Sequence, residues 1–358
     1  MAGKSADIQH PLDSLAAARD AGLRYVDDTR PGITRKPRGR HFSYFYPDGK
    51  PIKDKSELGR IKALAIPPGY RDVWVCPIPN GHIQATARDA RGRKQYRYQK
   101  RWREVRDEAK FHRMAAFGAA LPKIRKAVAR DLRSKGLTRA KILAVAVTFL
   151  ERTAIRVGNE EYRRSNGSFG LTTLRTRHVR VRGSTIQVKF RGKTGKEQVV
   201  ALDDARLAKI IRRCRDLPGQ ELFTYQDDDG TSHAITSEDV NAYIREISGD
   251  DFSAKDFRTW AGTLECIRNL AKPAEDAIQA KHNVKEALAC VASRLGNTVA
   301  VCRKAYVHPA VLDVYSRYLR LPSSPRSERA VLKLIRSCEK ALDTKTQLKA
   351  SLRLLRAT

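Results

Sequence analysis

The chain has 358 residues, with 71 Lys and Arg against 39 Asp and Glu, a formal charge of +32. Hydrophobic residues make up 41%, enough to fill the cores of two ordinary domains. Such a charge leaves the fold open but selects polyanionic partners, nucleic acid before an anionic membrane surface.

No run approaches the roughly 18 apolar residues that a membrane span needs. The start, "MAGKSADIQHPLDS", lacks the apolar stretch of a signal peptide, so a soluble, unsecreted protein with no membrane partner is expected. The six cysteines are scattered, without Cys-x-x-Cys or a neighbouring His pair. That spacing argues against a metal site and a disulfide framework, and most of them read as small buried hydrophobes.

In chain order, "SLAAARDAGL" carries a short helical pattern that Ser14 would cap and Gly22 would end. The segments "HFSYFYPDGKPI" and "VWVCPIPNGHIQATARD" follow. Pro-Asp-Gly and Pro-Asn-Gly are turn signals between residues that favour strands, which predicts a small β-rich domain ending near residue 90. Residues 88–106, "RDARGRKQYRYQKRWREVR", hold nine basic and two acidic residues with Tyr96, Tyr98 and Trp102 interleaved. They read equally as a solvated basic linker, as the exposed start of a helix, or as a surface that follows a phosphate backbone through Arg93, Lys94, Tyr96, Arg97, Tyr98 and Arg101.

From about residue 107 helices dominate. "RAKILAVAVTFLERTAIRVG" is apolar enough for a buried helix. "RHVRVRGSTIQVKFRGKTGKEQVVAL" reads as strands, with Gly-Lys-Thr-Gly-Lys at a hairpin turn. Helices are expected over 203–216, 237–248, 254–270, 283–294, 298–306 and 309–320. An acidic loop, "QDDDGTS", interrupts at 226–232. Residues 326–358 are basic. Val331, Ile335, Cys338 and Leu342, then Leu348, Leu352 and Leu355, mark one apolar stripe, expected to pack on the domain rather than form a free coiled coil.

One chemistry that suits this chain is cleavage of a nucleic-acid strand without a metal. Negative charge building on phosphoryl oxygens needs fixed cationic donors, and arginine can donate twice. The leaving oxygen needs a general acid. A tyrosine nucleophile, with an ordinary pKa near 10, needs surrounding positive charge. Arg156, in "IRVGNEEY", falls at the end of the apolar helix, where Gly158 would turn the chain; taken alone, it reads more readily as a cation at a helix C-terminus. Lys193, in "FRGKTGKEQ", sits at the hairpin tip, as a solvated lysine or a proton donor. The complete phosphate-binding loop Gly-x-x-x-x-Gly-Lys-[Ser/Thr] is absent, which argues against a nucleotide cofactor. In "FSAKDFRTWAGT", Ser253 and Asp256 form a capping box, with Lys255 and Arg258 three apart on one helix face; a surface ion pair is the alternative. Tyr306 ends a short helix before Pro309, with Arg303 and Lys304 just upstream. Taken singly, a tyrosine is far more often core or surface than nucleophile.

The segments "IRVGNEEY", "FRGKTGKE", "KDFRTWAGT" and "LGNTVAVCRKAYVHP", in this order and at these intervals, resemble the type IB DNA topoisomerases, in particular the compact poxvirus-like bacterial group. The resemblance runs from the β-rich start to about residue 320. It implies that Tyr306 attacks a backbone phosphate, Arg156 and Arg258 clamp its oxygens, and Lys193 protonates the leaving 5′-oxygen, with neither ATP nor metal. Tyr162 matches a position that supports the first arginine and the DNA backbone. Where poxvirus enzymes carry histidine nine residues before the nucleophile, this chain has Asn297, a hydrogen-bond donor without charge. The implied fold is α+β, a small β-rich lobe and a larger, mostly helical catalytic lobe related to the tyrosine recombinases, closing as a C-shaped clamp on double-stranded DNA. The implied division is 1–106, 107–325 and a basic helix 326–358. A monomer that relaxes supercoiled DNA in the nucleoid is expected. Two other readings remain. A tyrosine recombinase shares the Arg, Lys, Arg and Tyr logic, although Lys255 stands where those enzymes usually have His and their N-terminal domain is usually helical. A basic architectural protein that coats DNA explains the charge but not the four segments in register.

Overall fold

The computed structural model describes residues 11–39, 41–323, 325 and 327–355, without the side chains of 11–14, 17, 104–109, 112, 162, 165, 194 and 342–355. The chain divides into two compact units, residues 1–110 and 111–358.

The first unit is built on a five-stranded sheet in the order β2-β1-β3-β4-β5. Its strands are β1 (Ile33–Arg38), β2 (His41–Phe45), β3 (Arg71–Val75), β4 (Ile83–Arg88) and β5 (Lys94–Tyr98). All neighbouring pairs run antiparallel. One face buries Ile33, Val73, Val75, Ala85 and Ala87 with Ile61. Ile61 belongs to α2 (Lys55–Ala63), a helix the sequence reading did not anticipate. It has few apolar residues, but Asp54 caps it by accepting from the Ser56 N–H at 2.9 Å. α1 (Pro11–Asp20) opens on proline, favoured at a first helical position, and Gly22 follows at φ +67°. The Ser14 side chain lies outside the described residues.

The basic stretch at 88–106 is not a linker. Residues 94–98 are β5, and α3 (Lys100–Asp131) starts two residues later. Pairing in the sheet places Tyr96 opposite Thr86, while the Trp102 ring is buried with Ala18, Ala21 and Leu23. The division between the units falls inside α3.

The second unit surrounds α4 (Arg139–Thr153), whose residues Ile142 to Val147 are all buried. A three-stranded antiparallel sheet lies in the order β6 (Val179–Arg182), β7 (Thr185–Arg191), β8 (Glu197–Asp203). Along β7 exposure alternates strictly, and Ile186, Val188 and Phe190 turn inward, the period-two signature of a half-buried strand. α5 (Glu160–Asn166) and α6 (Ala205–Arg215) flank this sheet in sequence, and α6 buries Leu207, Ile210, Ile211 and Cys214. The acidic loop joins two short strands, β9 (Thr224–Gln226) and β10 (Ser232–Ala234). Five helices follow: α7 (Ser237–Ser248), α8 (Ala254–Asn269), α9 (Ala277–Leu295), α10 (Val299–Ala305) and α11 (Pro309–Tyr318). α9 starts earlier than its apolar pattern suggested, because Asp276 caps it by accepting from the Gln279 N–H at 2.7 Å. α12 (Glu328–Leu355) buries Val331, Leu334, Ile335 and Cys338 in the main core. Five cysteines are buried and Cys290 is exposed.

The observed architecture is therefore α+β, a sheet-based N-terminal unit followed by a larger helical one. No helix among the described residues is long and apolar enough to cross a membrane.

Phe117 on α3 is fully buried and meets Phe252 and Phe257 edge-on, with ring centroids 5.2 and 4.9 Å away. Phe117→Ala is expected to destabilise the second unit by about 3–5 kcal/mol, read as a lower urea midpoint at unchanged slope.

Candidate active site

Arg258 lies on the second turn of α8 and is only 5% exposed. A guanidinium stays charged at any accessible pH, so burial obliges it to find acceptors. It finds two carbonyls, that of Ala154 just past α4 and that of Leu295, 2.9 Å away, at the end of α9. Both are helix C-termini, where carbonyls lack helical partners and the macrodipole is negative. The Asp256 carboxylate supports this end of α8, accepting from the Ser253 N–H at 2.8 Å and its hydroxyl at 2.9 Å.

Arg156 lies in the loop after α4, not on the helix itself. Thr153 is the last helical residue, and Ala154 turns the chain at φ +53°. The loop is pinned where Gly158, at φ +94°, crosses Gly170; a Cβ on Gly170 would come within 2.5 Å of the Gly158 Cα. Glycine is thus required on both sides of the crossing. Hydrogen bonds from Leu171 N–H to the Arg156 carbonyl (2.8 Å) and from Thr172 N–H to the Val157 carbonyl (2.7 Å) complete the clamp. The Arg156 side chain donates to the Gly296 carbonyl at 3.3 Å and to Asn297 Oδ1.

Tyr306 is the C-terminal cap of α10, half-buried, with the Arg258 guanidinium carbon 5.0 Å from its ring centroid. A cation over a ring face is attractive in itself. Burial opposes ionisation of the phenol. The charge of Arg258, a hydrogen bond from it, and the charges of Arg156 and Lys255 together outweigh burial and hold the pKa below the ordinary tyrosine value. Arg156 is also pushed down, by burial first and then by Arg258.

Lys193 stands at the β7–β8 turn and is exposed. The base of this hairpin is tied to the Arg156 loop, since the Phe169 N–H donates to the Arg191 carbonyl at 2.8 Å. Arg156, Lys193, Lys255, Arg258 and Tyr306 line one cleft of about 300 Å³. Arg258 Nε, on this lining, and Nδ2 of Asn297, the residue that Arg156 meets, are buried and have no hydrogen-bond partner. Fixed donors of this kind, beside a phenol whose pKa is lowered, are the groups that an oxyanion and a tyrosine nucleophile require. Among the described residues there is no cluster of three or more His, Cys, Asp or Glu side chains that could hold a metal ion.

Other expected site residues lie elsewhere. Arg303 and Lys304 are exposed on α10 and do not line the cleft. The Tyr162 side chain lies outside the described residues. In the first unit Arg93 pairs with Asp89 at 2.7 Å, Lys94 with Asp28 at 2.6 Å, and Arg97 donates to the Ala65 carbonyl at 3.1 Å. Tyr96 and Tyr98 stack on each other at 5.8 Å. Arg101 approaches Gly22, a Cβ on which would lie 3.6 Å from the guanidinium.

The sequence reading missed Gly262 and Thr263 on α8. A Cβ at Gly262 would lie 2.6 Å from the Tyr306 carbonyl oxygen. Thr263, fully buried, donates to that same oxygen at 3.3 Å. One signal was available: a glycine in mid-helix disfavours the helix and calls for a packing reason.

Comparison with known proteins agrees in both units. Residues 99–321 match the family model described as eukaryotic DNA topoisomerase I, catalytic core, and residues 41–89 match that for the bacterial DNA topoisomerase IB N-terminal domain. The DNA topoisomerase 1B of Acanthamoeba polyphaga mimivirus is 32% identical over 293 residues, covering 79% of this chain and 87% of the viral protein. The DNA topoisomerase 1B of vaccinia virus (strain Copenhagen) is 22% identical over 290 residues, 75% of this chain and 88% of its own.

The order of the charges around the phenol can be measured. In a tyrosine-labelled NMR titration, the resonance lost in Tyr306→Phe is expected to titrate below the ordinary value of about 10. Arg258→Ala should raise that midpoint most, Arg156→Ala less and Lys255→Ala least. A midpoint insensitive to all three would remove the electrostatic account.

Proposed function

The chain belongs to the type IB DNA topoisomerases, isomerases that act on DNA, and on that footing we propose that it relaxes positive and negative supercoils through a transient 3′-phosphotyrosyl bond. The phenol of Tyr306 gives up its proton to solvent as its oxygen attacks a backbone phosphorus, and solvent returns that proton when the tyrosine leaves. The bond from phosphorus to the 5′-oxygen breaks, and Lys193 delivers a proton to that oxygen as it leaves. Arg156, Arg258 and Asn297 stabilise charge on the non-bridging oxygens. The freed 5′ end swivels under superhelical strain. Its hydroxyl then returns the proton to Lys193 and attacks the phosphotyrosine, which restores the strand and the phenol. The bond energy stays in the covalent intermediate, so the cycle needs no nucleotide and no metal.

The observation that carries this reading is a pair of buried donors with no hydrogen-bond partner, Arg258 Nε in the cleft that also holds Tyr306 and Asn297 Nδ2 on the residue that the Arg156 side chain meets. A buried polar group left unpaired costs about 1–3 kcal/mol. A phosphoryl oxygen would supply the missing acceptor. The +32 charge supports a duplex as the partner, because following DNA means neutralising many phosphates, and binding is expected to weaken steeply with salt. Lys255, Arg303, Lys304 and the Tyr96–Tyr98 strand are proposed to contribute to DNA contact, and the enzyme to act as a monomer. The recombinase alternative expected a helical N-terminal domain, whereas the first unit is built on a five-stranded sheet.

Relaxation of a supercoiled plasmid in EDTA without ATP tests the reading. The wild type is expected to relax both signs and Tyr306→Phe neither, while still binding DNA. Retained relaxation by Tyr306→Phe would exclude this tyrosine as nucleophile. For Lys193 the leaving group is diagnostic. Lys193→Ala should slow cleavage of ordinary DNA by about 10²–10⁴-fold, the usual contribution of a general acid. A substrate with sulfur in place of the bridging 5′-oxygen should restore the rate, because a thiolate leaves without a proton. No rescue would assign Lys193 another role.

A further inference from the structure

The helix that carries Tyr306 is poorly anchored by its own packing. α10 has seven residues, of which only Cys302 is buried, while Val299 and Val301 are 39% and 44% exposed. Tyr306 itself has left helical geometry, at φ −134° and ψ −5°. The Tyr306 N–H keeps a helical bond to the Cys302 carbonyl at 2.9 Å, but its carbonyl is held from outside, at the end of a series of three residues. Thr263 Oγ1 donates to the Tyr306 carbonyl at 3.3 Å and accepts the His308 N–H at 3.1 Å. His308 is 3% exposed, and its Nδ1 accepts the Ala310 N–H at 3.2 Å, capping α11. An Nδ1 that accepts places the proton of the neutral ring on Nε2. Nε2 lies 3.2 Å from Glu339 Oε1 on α12. Glu339 sits next to the buried Cys338, so its carboxylate is carried by a docked helix. It also lies beyond residues 99–321, the span matched by the catalytic-core family model.

We propose that His308 and Glu339 are positioning residues for the nucleophile, and that the C-terminal helix thereby sets the cleavage rate without touching DNA. The proposal rests on the reading of Tyr306 as nucleophile. Glu339 fixes the tautomer and tilt of the His308 ring. The ring fixes the start of α11, and with it the N–H that Thr263 accepts. Thr263 then holds the Tyr306 carbonyl against Gly262. In-line attack requires the reacting atoms about 3–3.5 Å apart and aligned, and a displacement of about 1 Å can cost 10²-fold.

The test measures single-turnover covalent adduct formation on duplex DNA at saturation, with DNA affinity and melting temperature determined separately. Glu339→Ala is expected to slow adduct formation about 10–100-fold with affinity unchanged. Glu339→Gln keeps an oxygen that accepts from Nε2–H and should recover most of that rate. His308→Asn retains a good helix cap but cannot reach Glu339, and should lose as much as Glu339→Ala. The double variant should be no slower than either single one, as for residues acting in series. An unchanged rate in Glu339→Ala overturns the proposal. So does a parallel fall in rate, affinity and melting temperature with Gln no better than Ala, which would assign the pair to stability alone. Adduct formation by Tyr306→Phe would instead overturn the reading on which the proposal rests.

Discussion

Much of the second unit is organised by the burial of one positive charge. The Arg258 guanidinium is all but removed from bulk water, so carbonyls must be brought to it. They come from the ends of α4 and α9, residues 104 and 37 positions away in sequence. Those carbonyls would otherwise be orphans of helix termination, so one contact answers two costs. It also fixes where the neighbouring loops begin. Arg156 is two residues past the first carbonyl and Asn297 two residues past the second, and the two side chains meet.

The same contact leaves the cleft short of acceptors. Arg156 and Arg258 repel each other, and the partners that accept from them are backbone carbonyls and the Asn297 amide oxygen, not a carboxylate. A carboxylate would neutralise the pair and remove its hold on an external anion. The phenol of Tyr306 lies among these charges, and its lowered pKa follows from that position. In the proposed mechanism, hold on the phosphate and activation of Tyr306 thus share one cause, positive charge without a carboxylate partner.

Around this centre the chain approaches itself closely at residues without side chains. Gly158 and Gly170 let two loops cross behind Arg156, and Gly262 lets α8 lie against the Tyr306 backbone. α10, by contrast, is short and mostly exposed; it packs on α9, and the backbone just past its end is tied to α8 and, through His308, to α12. The fixed contacts are thus concentrated on the cations and fewer on the helix that leads to Tyr306.

Local pattern alone was enough for most elements of the second unit. The buried run at 142–150, the alternation through 185–191 and the capped helices at 237–248 and 254–269 all declare themselves by period and end signals. Arg156, Lys193, Arg258 and Tyr306 could be singled out because four short segments stand in a recognisable order. What pattern could not reveal depended on partners far away in sequence. α2 has too few apolar residues to announce itself and forms because a sheet covers Ile61. The stretch 94–98 reads as solvated charge until β4 pairs with it and Asp28 takes Lys94. The carbonyls that satisfy Arg258, the glycine crossing behind Arg156, and the link from Glu339 to the Tyr306 backbone are contacts between elements. A sequence specifies which residue types are present and the period on which they recur. Only the packed chain decides which buried charge meets which helix end, because that choice is made by distance and desolvation.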